Sequence, residues 1–242
     1  MLFDIVIPVG PNDISLVDTL VQYTKKNVIG FRNIYLVSYD DTLCIDGCMT
    51  ISENLYPFSK TDIVRIMGPG CRQNWYLQQL LKLYAVFVIP DILENVLIID
   101  SDTFFLKPTR FFENNVGLYF YMNEHHIPYF AHMNRLYPSF ERMDSDKSGI
   151  CHHMILQKPY LEELFELVKQ YWGYDFWKAF LNCVVEYTTS GASEYEIYFN
   201  FMLKYHPDKI QLRELRHRDI QRFEEIHNNT YDYVSYHWHG RY

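Results

Sequence analysis

The chain has 242 residues, 48% of them hydrophobic and 17% aromatic, with a formal net charge of −8. That length and apolar content suffice for a sizeable core, and with no Pro/Gly/Ser-rich linker or charge block the expectation is a single domain over residues 1–242. The acidic balance, with no Lys/Arg cluster, excludes nucleic acid as an expected partner, because phosphates select a basic face. Five scattered cysteines, Cys44, Cys48, Cys71, Cys151 and Cys183, read as reduced thiols rather than a disulfide framework. The opening MLFDIVIPVG lacks the basic start of a signal peptide. No window approaches the ~20 apolar residues of a membrane span. These features predict a soluble, cytoplasmic protein.

In chain order, FDIVIPVG (3–10) is a short run rich in Ile and Val that ends in Pro8 and Gly10, the pattern of a buried strand and a loop. In DISLVDTLVQYTKKN, Ile14, Leu16, Val17, Leu20 and Val21 recur at helical spacing. NIYLVSYD predicts a second strand ending at Asp40 and Asp41. Strand, helix and strand in alternation predict a parallel sheet with crossover helices. RQNWYLQQLLKLYAVFVIP is apolar almost all round and stopped by Pro90, the pattern of a buried helix. At ~100° per residue, Arg72 and Gln79 share one face, with Lys82 about 60–80° away. That stripe is either helix-end exposure or the wall of a cleft that holds anions.

VLIID (96–100) reads as a third strand, with VGLYF (116–120) expected to pair beside it. PYFAHMNRLY predicts a short helix. ICHHMILQ predicts a strand that sends His152 and His153 to opposite faces, one into the core and the other, with His153 favoured, towards a ligand. Three amphipathic helices follow, KPYLEELFELVKQYW, DFWKAFLNCVVEY and SEYEIYFNFMLKYH, the first opened by Pro159. YDYVSYHWHG is expected to close the chain as a strand, with His237 and His239 on one face and Trp238 on the other. The 21 tyrosines and 17 phenylalanines either fill the core or stack on sugar and base rings.

The tripeptide DSD occurs twice. Asp100 and Asp102 end an oily run, where ligands of open α/β sheets gather. If the chain bends after Asp100, both carboxylates can approach one hard cation such as Mg²⁺ or Mn²⁺, which commonly also takes phosphate oxygens. Without a cation, like charges this close repel. Asp144–Asp146 lies in a polar loop with Arg142, Lys147 and Gly149, where a solvated turn is expected.

IIDSDTFFLKP resembles the D-x-D signature of GT-A-fold glycosyltransferases. DIVIPVG resembles the first strand and loop that embrace the nucleotide in that fold. GCRQNWYLQQLLKL, CHHMIL and SEYEIYFNF resemble the W-Y-x-Q-Q-x-x-K, H-H-M and S-E-Y-E segments of a poorly described glycosyltransferase-like family of bacteria and large DNA viruses. These segments keep their order across residues 4–239.

The resemblance implies a single GT-A-like, Rossmann-like α/β domain with a mixed, mostly parallel sheet flanked by helices. Residues 1–102 would form its nucleotide-binding half and 103–242 its acceptor and sugar half. The donor would be a nucleoside-diphosphate sugar, UDP favoured, the acceptor a glycan or glycoprotein, and the group moved a hexose or deoxyhexose. Pro8, Val9 and Gly10 would contact base and ribose, with Asp40 accepting from either. Arg72, Gln79, Lys82, Ser101 and His153 would face the nucleotide-sugar. Asp100 and Asp102 would hold Mn²⁺ or Mg²⁺, with His237 or His239 completing the shell. A viral member would work in the host cytoplasm.

Ser193 and Glu196 have capping-box spacing, which leaves Glu194 free as the catalytic base of an inverting enzyme or as a sugar-binding group in a retaining one. Asp102 would serve catalysis through the metal. Two rivals share these residues. A haloacid-dehalogenase-type phosphohydrolase would use D-x-D-x-T, with Asp100 as nucleophile and Asp102 as acid. A non-catalytic module of the same fold would bind nucleotide or glycan without turnover.

Overall fold

Seven consecutive buried residues make β1 (Phe3–Val9) the middle strand of the main sheet. The structure, a computed structural model, describes residues 1–228 and 230–241. In chain order come α1 (Val17–Asn27), β2 (Val28–Ile29), β3 (Phe31–Ser38), β4 (Met49–Ser52), α2 (Lys60–Met67) and α3 (Gln73–Val88). Next are β5 (Asn95–Ile99), β6 (Thr103–Phe105), β7 (Thr109–Arg110), β8 (Phe112–Glu113), β9 (Val116–Phe120) and α4 (Ile127–Leu136). The chain ends through β10 (His153–Gln157), α5 (Lys158–Trp172), α6 (Phe176–Asn182), α7 (Glu194–Tyr205), β11 (Ile210–Arg213), β12 (His217–Asp219) and β13 (Tyr233–Ser235).

The main sheet runs β10-β5-β1-β3-β4, parallel except for β10, which lies antiparallel to β5. Helix α3 packs on β1 and β5, and α5 on β10. The alternation predicts the parallel strands, and the resemblance implies the mixed, mostly parallel sheet flanked by helices that is found. β1 lies between β3 and β5, so the strand order reverses there and the carboxyl ends of β1 and β5 flank a crevice, the usual ligand site of such sheets. Among the described residues, no helix is long and apolar enough to cross a membrane. The five cysteines are free thiols.

Several expectations need correction. VGLYF does not pair beside VLIID. Asn114 and Asn115 both adopt positive φ, 49° and 65°, so a two-residue hairpin folds β9 back onto β8, and β11 takes its other edge. The edge of β5 goes to β10, all five of whose residues are buried. DFWKAFLNCVVEY is helical only as far as Asn182. In the terminal segment only Tyr233–Ser235 is strand; Trp238–Gly240 forms a 3-10 turn. That strand is antiparallel to β6, and β12 lies parallel along its other edge. The resulting three-stranded sheet carries the end of the chain to the D-x-D segment.

Candidate active site

Four buried residues of β5 lead into Asp100, and the chain turns at once: the Thr103 amide donates to the Asp100 carbonyl at 3.0 Å. This is the bend after Asp100 that the two-carboxylate reading requires. The pairing of β6 with β13 sets Ser235 opposite Thr103. The Tyr236 amide then donates to the Asp102 carbonyl at 2.8 Å, and His237 Nδ1 lies 2.9 Å from Asp102 Oδ2. His239 stacks on His237, ring centroids 5.4 Å apart and 7° between planes, while Trp238 is exposed. Of the two histidines, His237 is the one in contact with the acids.

Beneath Asp100 lies a buried ionic triad. Lys82 Nζ is 2.5 Å from Asp100 Oδ1 and 2.6 Å from Glu194 Oε1, and the Tyr195 hydroxyl donates to Asp100 Oδ1 at 2.9 Å. Lys82 and Glu194 are each only 4% exposed. Burial disfavours the ammonium, but the carboxylates of Asp100 and Glu194 outweigh it and hold Lys82 above its ordinary range. Burial also opposes ionisation of Asp100, yet Lys82 and then His152 hold its carboxyl well below the usual carboxylate range. Glu194 is pushed up, first by burial, against the pull of Lys82. It stands at the first position of α7, turned onto Lys82.

A second carboxylate, Asp219, closes the other side. His217 Nε2 lies 3.1 Å, His237 Nε2 3.3 Å and His152 Nε2 3.8 Å from Asp219 Oδ1. His152 Nδ1 is 3.7 Å from Asp100 Oδ2. Burial works against the charge on His237, but the carboxylates of Asp102 and Asp219 push it up to about 10. The two faces expected of His152 and His153 are found, with the partners exchanged. His153 is 2% exposed among Phe105, Phe111, Phe120 and Tyr233, and His152 faces the acids.

Beside this centre opens a cleft of ≈ 440 Å³, within the size range of small-molecule sites. Pro8, Val9, Gly10 and Arg72 line it, as the sequence suggests. Asp13, Lys60, Trp75, Gln78 and Trp238 also line it and were not anticipated. Arg72 is exposed at the start of α3; its guanidinium lies 4.5 Å from the Trp75 ring and donates to Ser190 Oγ at 2.6 Å. The Ser101 hydroxyl donates to Asp13 Oδ2 at 2.7 Å, which ties the D-x-D backbone to the cleft wall. Gln79 does not reach the cleft: it is 2% exposed, and its neighbour Gln78 faces the opening. Gln78 and Gln79 are adjacent and ~100° apart on the helix, so both offer an amide and the sequence alone does not say which of them meets the cleft. Asp40 lies outside the lining, its Oδ1 accepting from the amide and hydroxyl of Thr42 at 2.9 and 2.6 Å.

Asp102 and His237 are in contact, and Asp100, two residues before Asp102, is held by Lys82 and Tyr195; together they supply two carboxylates and an imidazole. That donor set fits Mn²⁺ or Mg²⁺, and the countercharges now present are Lys82 and His237. The second DSD is a local turn: Asp144 pairs with Lys147 and accepts from the Asp146 amide at 2.9 Å. His217 and Asp219 escaped notice because their H-x-D spacing, one face of a strand, sits in the charged stretch RELRHRDIQR, which has no apolar alternation.

A model of a family of unknown function, DUF6492, matches residues 19–237. Among solved structures, mouse xyloside xylosyltransferase 1 in its apo form superposes with a TM-score of 0.52 at 11% identity, over 100% of both chains. The galactosyltransferase LgtC, in complex with donor and acceptor sugar analogues, gives a TM-score of 0.49 at 8% identity, over 96% of this chain and 86% of its own. No curated protein matches the chain.

Proposed function

We propose that this chain, which belongs to the DUF6492 family, is a metal-dependent glycosyltransferase using a nucleoside-diphosphate sugar, UDP favoured. The observation that carries this reading is the contact of His237 with Asp102 in the D-x-D turn at the carboxyl end of β5, beside a cleft walled by Pro8–Gly10 and Arg72. The glycosyltransferase-like fold supports it. Residues 1–102 would hold the nucleotide and 103–242 the sugar and a glycan or glycoprotein acceptor.

Asp100, Asp102 and His237 would hold Mn²⁺ or Mg²⁺, which when bound supplies positive charge opposite the departing diphosphate. Arg72, exposed at the cleft edge, adds cationic charge there through charge-assisted hydrogen bonds. Lys82 keeps Asp100 ionised, and Glu194 fixes Lys82. Glu194 is thus a positioning residue, because its carboxylate is buried against Lys82 rather than directed to the cleft. The dehalogenase-type alternative is disfavoured by the placement of D-x-D on β5, while β1 ends in Pro8–Gly10 rather than in acids.

A thermal-shift series with nucleoside diphosphates and Mn²⁺ tests this. At 100 times Kd, binding contributes ~2.7 kcal/mol, or roughly 5–10 °C for a chain of this size. At least one diphosphate should give that rise only when Mn²⁺ is present, and Asp102→Ala should remove it. A variant that keeps the full rise would refute the metal assignment.

A further inference from the structure

The side of the histidines away from the D-x-D acids carries its own set of donors. We infer that His152, His217 and Asp219 form a second cation site, selective for a first-row transition ion of the zinc type, next to and separate from the site of Asp100 and Asp102. One ring nitrogen from each of the two histidines and one Asp219 oxygen all lie within 4.8 Å of one another. Ligands about 2.1 Å from a central zinc stand about 3.4 Å apart in a tetrahedron, so a small inward shift completes the set.

Hydrogen bonding alone does not account for this arrangement. Three imidazole Nε2 atoms point at one carboxylate oxygen, which has two lone pairs. His217, at 3.1 Å, is within bonding distance. His152 is not: its nitrogens stand 3.7 Å from Asp100 and 3.8 Å from Asp219, too far for hydrogen bonds to either. It is suspended between two carboxylates with Nε2 turned towards Asp219. A carboxylate behind Nδ1 and a free Nε2 in front is how proteins present histidine to a metal, because the carboxylate orients the ring and raises its basicity. Asp100 stands on that side of His152, its Oδ2 3.7 Å from Nδ1, so a shift of less than about 1 Å would complete the pairing.

The elements explain why the donors meet. His152 directly precedes β10, while His217 and Asp219 are two residues apart on β12. β12 rests on β13, whose pairing with β6 delivers it to the D-x-D turn. Asp219 is exposed and the two histidines are half-buried, so an ion can enter from solvent. Two imidazoles and one carboxylate favour Zn²⁺ or Co²⁺ over the oxygen-preferring Mg²⁺. A bound ion would brace β12 against β10 and hold the His152 ring against Asp100.

The test titrates chelator-treated full-length protein with Co²⁺, read by its visible absorption, and with Zn²⁺, read by calorimetry. One equivalent should bind with an imidazole-ligated Co²⁺ spectrum and resist excess Mg²⁺. His217→Gln and Asp219→Asn should each weaken that binding by about 100-fold or more. Asp102→Ala, which tests the nucleotide-linked site, should retain it, so either site can fail without the other. The exposed Asp219 makes Asp219→Asn the variant least able to disturb folding, and equal melting temperatures without metal confirm this. Wild-type affinity in both variants, or binding lost only with Asp102→Ala, overturns the second site.

Discussion

Lys82 is one ammonium between two carboxylates in a place water barely reaches. Removing one member of such a buried group costs ~3–5 kcal/mol, because the remaining charges stay uncompensated. Lys82→Met should therefore lower stability by about that amount in urea unfolding, since it leaves Asp100 and Glu194 sharing a dry site. Combining it with Glu194→Gln should recover part of the loss, because one buried negative charge is gone. If the two effects simply add, Lys82 and Glu194 are not energetically coupled. Arg72 is the contrasting case. It is exposed and its partner is a serine hydroxyl, so Arg72→Ala should leave unfolding within ~0.5 kcal/mol of wild type. The same change should weaken diphosphate binding by about tenfold, the size of one charged hydrogen bond.

Among the elements, α7 carries the most. Ser193 caps it by accepting from the Glu196 amide at 3.2 Å, as the S-x-x-E spacing predicts. The reciprocal half of the capping box is absent. The Glu196 carboxylate instead accepts from the Ser148 hydroxyl and the Gly149 amide, both at 2.8 Å, and from Asn200 at 3.0 Å. A long-range partner has displaced the local one, which no local pattern announces. This anchors the loop before β10 to the helix that carries Glu194 and Tyr195. The anchor requires close approach: a Cβ at Gly149 would meet Phe199 Cβ at 2.4 Å and the Tyr195 carbonyl at 2.8 Å. Gly149→Ala should destabilise the fold by ~1–3 kcal/mol or more by overpacking. It should also blunt the metal-dependent nucleotide shift, because Tyr195 holds Asp100. A shift equal to wild type would separate the anchor from the site.

Across the whole molecule, burial of neutral histidines sets an acid limit. His132 is buried with Nε2 2.8 Å from the Phe180 carbonyl, and burial lowers it from 6.5 to about 4. His153, buried among aromatic rings, is lowered as well, first by its burial. Between pH 6.5 and 4 the unfolded chain binds more protons at His132 than the folded one. The contribution is therefore complete above about pH 6.5 and lost as pH falls towards 4, ~3 kcal/mol for His132 alone. Melting temperature should fall through that window, and His132→Gln, which can still donate to Phe180, should show a shallower fall.

Much of this molecule is written locally. The buried strands FDIVIPV and NVLII, the helix ended by Pro90 and the D-x-D at the mouth of β5 follow from apolar periodicity and breaker residues, because burial acts on each element where it stands. Those signals sufficed for the α/β class and for Asp100 and Asp102 at a strand end, whereas Pro8–Gly10 and Arg72 were placed beside them by the resemblance to GT-A-fold sequences. Only the tertiary structure decided that Gln78 rather than Gln79 faces the cleft, and that His152 rather than His153 faces the acids. It alone brought His217 and Asp219 to the D-x-D turn, 115–119 residues away in the chain, and chose His237 over His239 there. Which side of a wholly buried helix or strand meets a ligand depends on what packs against it, and pairings such as β6–β13 and β12–β13 join segments whose composition says nothing of one another. The site is a meeting of strand ends, and the physics that selects those partners lies in the assembled core.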